Sequence, residues 1–263
     1  MKSKTGIIIS IVLLLLLVLL LTAFLITYLI TGKSFMISFH GFNAESTSSI
    51  FDTVFSLDDV NKISLSQEYG DITIEESSDN SIRLVVYGEN ADQVDWDLTN
   101  QKLELQTKGK KSYFFFPTPK NKIVLYLPTS FVGQVSVKID CGSCQIEDFL
   151  QASFSIDCDA GNVEMGSVKN ATVKCDCGNI EIKEITNQCN LRANLGNISI
   201  DKLNLQEDSN IRVDMGNITV EETNDIYIDA HVDLGDLNIR QNNRNAPVTL
   251  TVNCNCGNIT IGD

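Results

Sequence analysis

The sequence predicts an all-β protein: a single-stack β-solenoid with about 19 residues per coil, preceded by one N-terminal transmembrane helix. Three observations support this prediction. Short units centred on glycine recur along the second half of the chain, and their apolar residues alternate at the period of a strand. One long uncharged run lies near the N-terminus. The chain has 263 residues, a length at which an all-β fold often remains one domain.

The uncharged apolar run occupies residues 6–31 and follows a short basic start, residues 1–5. It exceeds the roughly 20 residues that cross a bilayer and the roughly 7–15 apolar residues of a cleavable signal. Lys2 and Lys4 precede the run and only Lys33 follows it closely, so the positive-inside bias favours a cytoplasmic N-terminus. We therefore expect a single-pass protein of the cell membrane with an extracytoplasmic body. The alternative is an uncleaved signal segment on a secreted protein.

The rest of the chain is acidic. Setting aside Lys2 and Lys4 leaves 18 basic against 34 acidic residues, a net charge of −16. Such a surface repels nucleic acid and anionic lipid, and the sequence contains neither a glycine-rich phosphate loop nor a basic recognition helix. Nucleic acid is therefore not an expected partner, and we expect neither a small-molecule substrate nor a cofactor.

Glycines mark a repeat with a period near nineteen residues. Units such as CDCGNIEI and CNCGNITI recur at intervals of 19, 17, 18, 20, 19 and 22 residues, after an earlier unit, QEYGDITI. The eight glycines are Gly70, Gly142, Gly161, Gly178, Gly196, Gly216, Gly235 and Gly257. One such unit buries little alone, but units stacked at the roughly 4.8 Å strand spacing form a continuous core. We expect a linker over 32–57 and a solenoid ectodomain over 58–263, irregular over 58–134 and regular over 135–263.

Apolar residues recur in the same columns of every unit. The positions seven and five before each glycine, and two and four after it, are apolar in nearly all units, as inward-facing ladders require. We also expect the residue directly before the glycine to point inward. The chain must then bend at the glycine, which adopts positive φ without a Cβ clash. The Asn or Asp that follows nearly every glycine suits local backbone bonding and a stacked amide ladder.

The eight cysteines fall in columns that apolar residues fill in other units. Three lie three residues before a glycine, three lie directly before one, and two fall in other inward columns: Cys158, Cys175 and Cys254; Cys141, Cys177 and Cys256; Cys144 and Cys189. This pattern favours small buried hydrophobes with free thiols. Stacked pairs such as Cys158 and Cys175 also lie within disulfide range. A zinc site would need four converging ligands, which this spacing does not provide, so we expect no metal site.

An acidic column lies two residues before the glycines, and a mostly basic column lies two residues earlier still. The acidic column comprises Asp140, Asp159, Asp176, Asn194, Asp214, Asp233 and Asn255. Closely stacked carboxylates could bind Ca²⁺, as in a calcium-dependent adhesin. The neighbouring basic residues favour structural pairing instead, worth a few tenths of a kcal/mol per pair.

No Ser/His/Asp set, glycine-flanked nucleophile or His-Glu motif is visible in the sequence. We therefore expect no enzymatic activity and assign no catalytic residue. Solenoid enzymes that act on polysaccharides do assemble acid pairs from different coils, so a polysaccharide-active enzyme remains an alternative.

One basic and aromatic segment interrupts the acidic pattern: KGKKSYFFFPTPKNK, residues 108–122. Its lysines and aromatic residues are Lys108, Lys110, Lys111, Tyr113, Phe114, Phe115, Phe116, Lys120 and Lys122. This composition suits a membrane interface or an anionic polymer, which makes the segment a candidate interaction segment. The structural alternative is an aromatic plug over the N-terminal end of the solenoid, with lysines that prevent edge pairing.

The N-terminal anchor, the strand sequence NKIVLYLPTSF and the DCGNIEI-type units together resemble the bacterial putative-adhesin family, also called toastrack domains, over residues 58–263. The resemblance implies an exported β-repeat module that is tied to a membrane segment and associated with envelope-stress systems. It brings no catalytic residues. The expected function is non-catalytic binding or scaffolding at the cell envelope, with a membrane or envelope protein as partner.

Overall fold

The computed structural model describes residues 48–88, 94–108 and 121–262. The described residues belong to one compact unit, Phe42–Asp263. The predicted anchor at residues 6–31 and most of the lysine-aromatic segment, residues 109–120, lie outside the described residues. Within the described ranges, no helix is long and apolar enough to cross a membrane.

The described chain is all-β, as predicted, apart from one short 3-10 helix, Leu57–Asp59. The strands of the first half are β1 (Ser49–Ser56), β2 (Lys62–Glu76), β3 (Ser81–Tyr87), β4 (Val94–Thr99), β5 (Lys102–Thr107), β6 (Asn121–Leu127), β7 (Gln134–Cys141), β8 (Cys144–Ile146) and β9 (Phe149–Ala160). Those of the second half are β10 (Val163–Cys177), β11 (Ile180–Leu195), β12 (Ile198–Leu203), β13 (Ser209–Met215), β14 (Ile218–Thr223), β15 (Tyr227–Leu234), β16 (Leu237–Ile239), β17 (Thr249–Cys256) and β18 (Ile259–Ile261).

Each coil contains one segment before its glycine and one after it, and equivalent segments of successive coils pair in parallel. In the segments before the glycine, Val173 of β10 lies in register with Ile156 of β9 and with Leu191 of β11. In the segments after it, Ile180 of β11 pairs with Ile198 of β12. The same column therefore stays in register from coil to coil, as a β-solenoid requires.

The core consists of the inward columns of these coils. In one coil, Val173, Cys175, Ile180 and Ile182 are each at most 2% exposed. Outward residues between them, such as Lys174, are exposed, so the alternation has the period of a strand. Burial of one Val or Ile side chain contributes roughly 1.5–3 kcal/mol relative to its exposure, and stacking repeats this gain in every coil.

The corner glycines have φ between 129° and 152°, a region that favours glycine. The short distance between corner glycines of neighbouring coils also excludes any residue with a side chain. A Cβ added at Gly178 would lie 1.8 Å from the carbonyl oxygen of Gly161, the corner glycine of the preceding coil. Because the clash is with backbone atoms, a side-chain rotation cannot relieve it.

An Asx ladder closes the corner directly after the glycines. The backbone N–H of Asn179 donates to Oδ1 of Asn162 (3.0 Å), and the N–H of Asn197 donates in turn to Oδ1 of Asn179 (2.9 Å). The same bond recurs from Asn217 to Asn197 at 2.8 Å. Each side-chain oxygen thus satisfies a backbone donor of the next coil, which ties neighbouring corners together.

The order of stacking departs from the order of the chain at the C-terminal end. Strand β17 pairs with β13 on one side and β15 on the other, and β18 lies between β14 and β16. The Gly257 coil is therefore inserted between the Gly216 and Gly235 coils. Among the described residues, the Gly235 coil ends the stack.

The opposite end of the stack has a different construction. Strand β3 pairs antiparallel with both β1 and β6, and β4 pairs antiparallel with β5. The Trp96 ring on β4 packs against Phe51 and Phe55 of β1, with ring centroids 5.6 Å and 5.8 Å apart. Antiparallel strands and aromatic side chains thus cover the N-terminal coils.

The glycine contact predicts a large cost for one added methyl group. Gly178→Ala should lower the free energy of unfolding by more than about 4 kcal/mol or prevent folding, because the new Cβ meets the Gly161 carbonyl. Urea unfolding followed by circular dichroism measures this cost.

Gly262→Ala is the matched control, because its added Cβ would lie 3.6 Å from the Arg240 side chain at φ +80°. We expect a cost of about 1–2 kcal/mol there, that of the left-handed backbone alone. Equal stability losses in the two variants would contradict the close stacking of the corners.

Candidate interaction surface

The residue directly before each corner glycine is exposed in most coils. Leu195, Met215 and Leu234 are 49%, 56% and 69% exposed. The three cysteines in this position are exposed as well: Cys141, Cys177 and Cys256. The prediction that this column points inward, and with it the prediction that these three cysteines are buried, is wrong. Residues two after the glycine, such as Ile180, already fill the core at the corner, so the preceding strand ends beyond the core and its last side chain projects into solvent.

The residues in this position form one continuous column, which we call the corner column; all of them are exposed except Ala160, which is partly buried. The strand register stacks its members in this order: Tyr69, Cys141, Ala160, Cys177, Leu195, Met215, Cys256 and Leu234. At about 4.8 Å per strand, a column of this length spans roughly 34 Å. Contiguous apolar surface of this extent is characteristic of interaction sites. The corner column is therefore the candidate interaction surface.

Carboxylates beside the corner column are mostly paired with basic residues of the same strand. Nζ of Lys174 lies 3.1 Å from Asp176, and the Arg212 guanidinium lies 3.0 Å from Asp214. This supports the structural interpretation of the acidic column. Among residues 48–88, 94–108 and 121–262, no group of three or more His, Cys, Asp or Glu side chains is placed to hold a metal ion.

The lysine-aromatic segment enters and leaves the described structure beside the corner column. Thr107, the last residue of β5, pairs with Gln67, whereas Asn121, the first residue of β6, pairs with Gly70. Tyr69, the first member of the corner column, lies between these two positions on β2. Thr107 and Asn121, which lie on either side of residues 109–120 in the sequence, are therefore both at the N-terminal end of the column.

Two of the lysines of the candidate interaction segment are described. Lys108 and Lys122 are both exposed, and Lys122 pairs in register with Asp71. The others lie outside the described residues: Lys110, Lys111, Tyr113, Phe114, Phe115, Phe116 and Lys120.

Five cysteines do lie in the core: Cys144, Cys158, Cys175, Cys189 and Cys254. The thiols three residues before a glycine have a specific role there. Sγ of Cys175 lies 3.4 Å from the carbonyl oxygen of Gly161, and Sγ of Cys254 lies 3.3 Å from that of Gly216. Each thiol donates a weak hydrogen bond to the corner carbonyl of the neighbouring coil, which an apolar side chain in the same column could not do.

Burial makes two of these core thiols poor nucleophiles. It raises the pKa of both Cys144 and Cys189 to about 12. The contact with the Cys175 thiol, together with burial, raises the pKa of Cys158. All eight cysteines are unpaired in the structure, although Cys158 and Cys175 lie in register on neighbouring strands.

A groove of about 550 Å³ lies on the outer face of the segments that follow the glycines. Its acidic lining comprises Glu75, Glu147, Glu164, Glu181 and Asp201. Glu164 and Glu181 are exposed to solvent, whereas a catalytic carboxylic acid is usually desolvated. The groove is thus an acidic surface rather than an enclosed pair of acids.

Sequence reasoning missed both the corner column and the acidic groove. The column could have been recognised in the sequence from its composition, since long apolar residues such as Leu195 lie directly before the glycine at which the chain bends. For the groove it was the glutamates that recur three residues after Gly161 and Gly178.

Parallel coils, in-register columns and glycine corners define a β-solenoid repeat protein. The family model described as Toastrack DUF4097 matches residues 60–262, and the chain belongs to this family. Among curated proteins, none matches this chain.

Solved structures from several bacteria are similar to this chain. A putative adhesin from Bacteroides fragilis NCTC 9343 is 16% identical, with a TM-score of 0.51, over 82% of this chain and 98% of its own. A putative cell adhesion protein from Clostridium sporogenes ATCC 15579 is 13% identical, with a TM-score of 0.40, over 82% and 99%. A putative lipid binding protein from Parabacteroides distasonis ATCC 8503 is 14% identical, with a TM-score of 0.42, over 82% and 98%. At these identities, the likeness to the B. fragilis protein shows a shared fold.

The burial of the cysteines predicts how many of them react. Iodoacetamide at about pH 8 should modify three cysteines of the native protein, Cys141, Cys177 and Cys256, and all eight after denaturation. The pKa of Cys144, near 12, keeps that thiol protonated at this pH, and burial excludes the reagent. Mass spectrometry of the intact chain counts the adducts, and peptide mapping locates them. Modification of Cys175 as fast as Cys177 would contradict the assignment of the columns.

Proposed function

We propose that this protein is a membrane-anchored, extracytoplasmic binding or scaffold module of the cell envelope, without catalytic activity and linked to the envelope-stress response. The observation that supports this most directly is the corner column, an exposed apolar surface about 34 Å long on a rigid repeat scaffold. Its N-terminal end lies where the lysine-aromatic segment begins and ends. Both features are suited to contact with another molecule.

The partner that we propose for the corner column is a membrane or envelope protein. Exposed Leu195, Met215 and Leu234 need apolar side chains opposite them, which a polysaccharide does not offer. Anionic lipid is disfavoured as a partner for this surface because the net charge beyond the anchor is −16. The name of the B. fragilis protein, a putative adhesin, agrees with a binding role at a bacterial surface.

The acidic groove favours one alternative, an enzyme that acts on an envelope polysaccharide. Glu164 and Glu181 lie on neighbouring coils in register with each other, so two carboxylates face the same groove. The test is whether the protein cleaves purified cell-wall polysaccharide. Cleavage that is lost in Glu164→Gln, but retained in the control Glu221→Gln outside the groove, would establish this alternative and overturn the non-catalytic proposal.

A partner on the corner column should protect its cysteines in the cell. Cys177 lies within the column and is exposed in the isolated chain. In intact cells with the wall removed, its modification by a membrane-impermeant maleimide should be at least about tenfold slower than in the purified protein. The Leu195→Ser/Met215→Ser variant should regain fast modification in cells, because it loses the apolar contacts with the partner.

Leu150→Ser is the matched control, because Leu150 is 53% exposed but lies outside the column. This variant should keep the protection of Cys177. Circular dichroism must show that all three proteins fold equally. Equal modification rates in cells and in solution would remove the support for a partner on this surface.

The proposed topology predicts which side of the membrane is open to protease. Protease added to cells without a wall should digest the region after Lys33, because the lysines before residues 6–31 favour a cytoplasmic N-terminus. Immunoblotting with an antibody against the C-terminal coils measures the loss, and a cytoplasmic marker protein controls for lysis. Complete protection of the region after Lys33 from the protease would indicate the opposite orientation in the membrane.

A further inference from the structure

Two buried cysteines, Cys158 on β9 and Cys175 on β10, lie against each other on neighbouring coils of the solenoid. We propose that these two thiols form a disulfide bond between the coils when the chain folds in an oxidising compartment. The pairing follows from the strand register and does not depend on the partner of the corner column. Its formation in the cell rests on the proposed extracytoplasmic location, because disulfides persist in such compartments and are rare in the cytosol.

The strand register brings these two cysteines within bonding distance. Cys175 is paired with Cys158 on parallel strands, and both side chains point into the core, where both are fully buried. Neighbouring strands lie about 4.8 Å apart, which falls within the roughly 4.4–6.8 Å between Cα atoms that a disulfide requires. The two thiols are also in contact, which raises the pKa of Cys158.

The two sulfur atoms have equivalent positions, one coil apart. Sγ of Cys158 lies 3.7 Å from the carbonyl oxygen of Gly142. Sγ of Cys175 lies 3.4 Å from the carbonyl oxygen of Gly161, the corner glycine of the next coil. Rotation about the Cα–Cβ bonds therefore turns each sulfur from its carbonyl toward the other sulfur.

The disulfide costs each thiol its weak hydrogen bond to a corner carbonyl. Other coils of the solenoid lack this hydrogen bond. Ala193 and Val213 occupy the same column, have no side-chain donor, and are fully buried and in register with each other. The coils therefore stack without these donors.

The pairing of Cys158 with Cys175 is specific, because no other two cysteines stack on each other. The structure describes all eight cysteines of the chain. The other six have different residues in register on the adjacent coils: Val163 beside Cys144, Ala171 beside Cys189, Val213 beside Cys254, Met215 beside Cys256, and Ala160 beside both Cys141 and Cys177. Within the C-x-C pair, Cys175 is buried and Cys177 is exposed, so their side chains point to opposite faces of the strand and cannot bridge.

The oxidant in this reaction is another disulfide, either a small molecule such as oxidised glutathione or a thiol oxidoreductase. One cysteine thiolate attacks a sulfur of that disulfide, whose S–S bond breaks and releases one thiolate. The thiolate of the second cysteine then attacks the cysteine sulfur of the mixed disulfide and releases the other thiolate. The two cysteines lose two protons and two electrons, and the oxidant becomes two thiols.

Burial determines when this bond forms. Cys158 and Cys175 are both 0% exposed, so a disulfide or a reductant in solution does not reach them in the folded chain. The bond therefore forms before the two coils close and is protected afterwards. The structure, in which all eight cysteines are unpaired, is the reduced form. Denaturation exposes eight reactive thiols in the reduced form and six in the oxidised form.

The test is cell-free synthesis of the full chain in detergent with a buffer of reduced and oxidised glutathione. This buffer supplies the oxidant during folding, whatever the topology of the protein in the cell. N-ethylmaleimide in denaturant then blocks every free thiol, and the mass of the intact chain counts the adducts. Glutathione adducts, recognised by their mass, are counted with the free thiols. Wild type should give six adducts, and peptide mapping without reduction should recover Cys158 joined to Cys175.

Two valine variants in the same column provide the matched comparison. Cys175→Val removes one of the bridging thiols and should give seven adducts, whereas Cys254→Val leaves the pair intact and should give five. Both substitutions copy Val213 and Val232 of other coils, so both variants should fold, which circular dichroism checks. Synthesis of wild type with dithiothreitol should give eight adducts.

Reduction of the folded chain tests where the bond lies. Dithiothreitol should cleave it at least about a hundredfold more slowly in the folded chain than in urea, because access limits thiol exchange. Equal rates would place the bond at the surface and overturn the proposal. Eight adducts in folded wild type, or a bond from Cys158 to Cys144, would overturn it as well. If protease shows that the body lies in the cytoplasm, the proposed function fails, and the cell-free count still decides the pairing.

Discussion

The contact between corner glycines of neighbouring coils is the constraint on which the rest of the structure depends. At seven of the corners, the position of a Cβ atom lies only 1.7–1.9 Å from the carbonyl oxygen of the adjacent corner glycine. Coils can approach this closely only without side chains, so one residue type fixes both the bend and the spacing. Every column of the solenoid inherits its register from this contact, and the Asx ladder beside it holds the register with side-chain to backbone bonds.

The same corner explains two features that look unrelated in the sequence. Because the chain turns at the glycine, the residue before it extends past the core, and an apolar column becomes exposed. The glycine carbonyl points toward the next coil. A thiol that lies three residues before the glycine of that next coil can therefore donate to it, as Cys175 does to the carbonyl of Gly161. Cysteines of one C-x-C pair thus occupy opposite environments: Cys175 is a buried donor, and Cys177 is part of the exposed surface.

The sequence allowed the all-β repeat to be predicted because its signal is local. Alternation around Val173 and Ile180 and the recurring glycines depend only on strand periodicity and on the absence of a Cβ. The exposure of Cys177 was not predictable by the same argument, because alternation continued through the corner assigns an inward side. The neighbouring segments in space decide where a strand ends relative to the core. The periodicity of one unit carries no information about those neighbours.

The position of the C-terminal coil shows the same limit at a larger scale. Since the columns of all units are alike, Cys254 of β17 can pack between Val213 and Val232 as well as it could pack beyond Val232. Local pattern is thus compatible with either order of the last two coils. In the observed order, the Gly235 coil lies at the end of the stack, and its Leu234 and Leu237 are exposed. The Gly257 coil lies inside the stack, and its Ile259 is fully buried.

This order of coils also leaves β15 at the end of the stack, where among the described residues it pairs with a strand on one side only. Soluble β-proteins usually block an edge strand with charge, proline or a covering loop. Here the loop between β16 and β17 supplies one such device, Asn242, which bonds to both backbone groups of Ile228 and leaves the following residues of β15 accessible. Blocking at one residue limits where a strand can add without preventing addition.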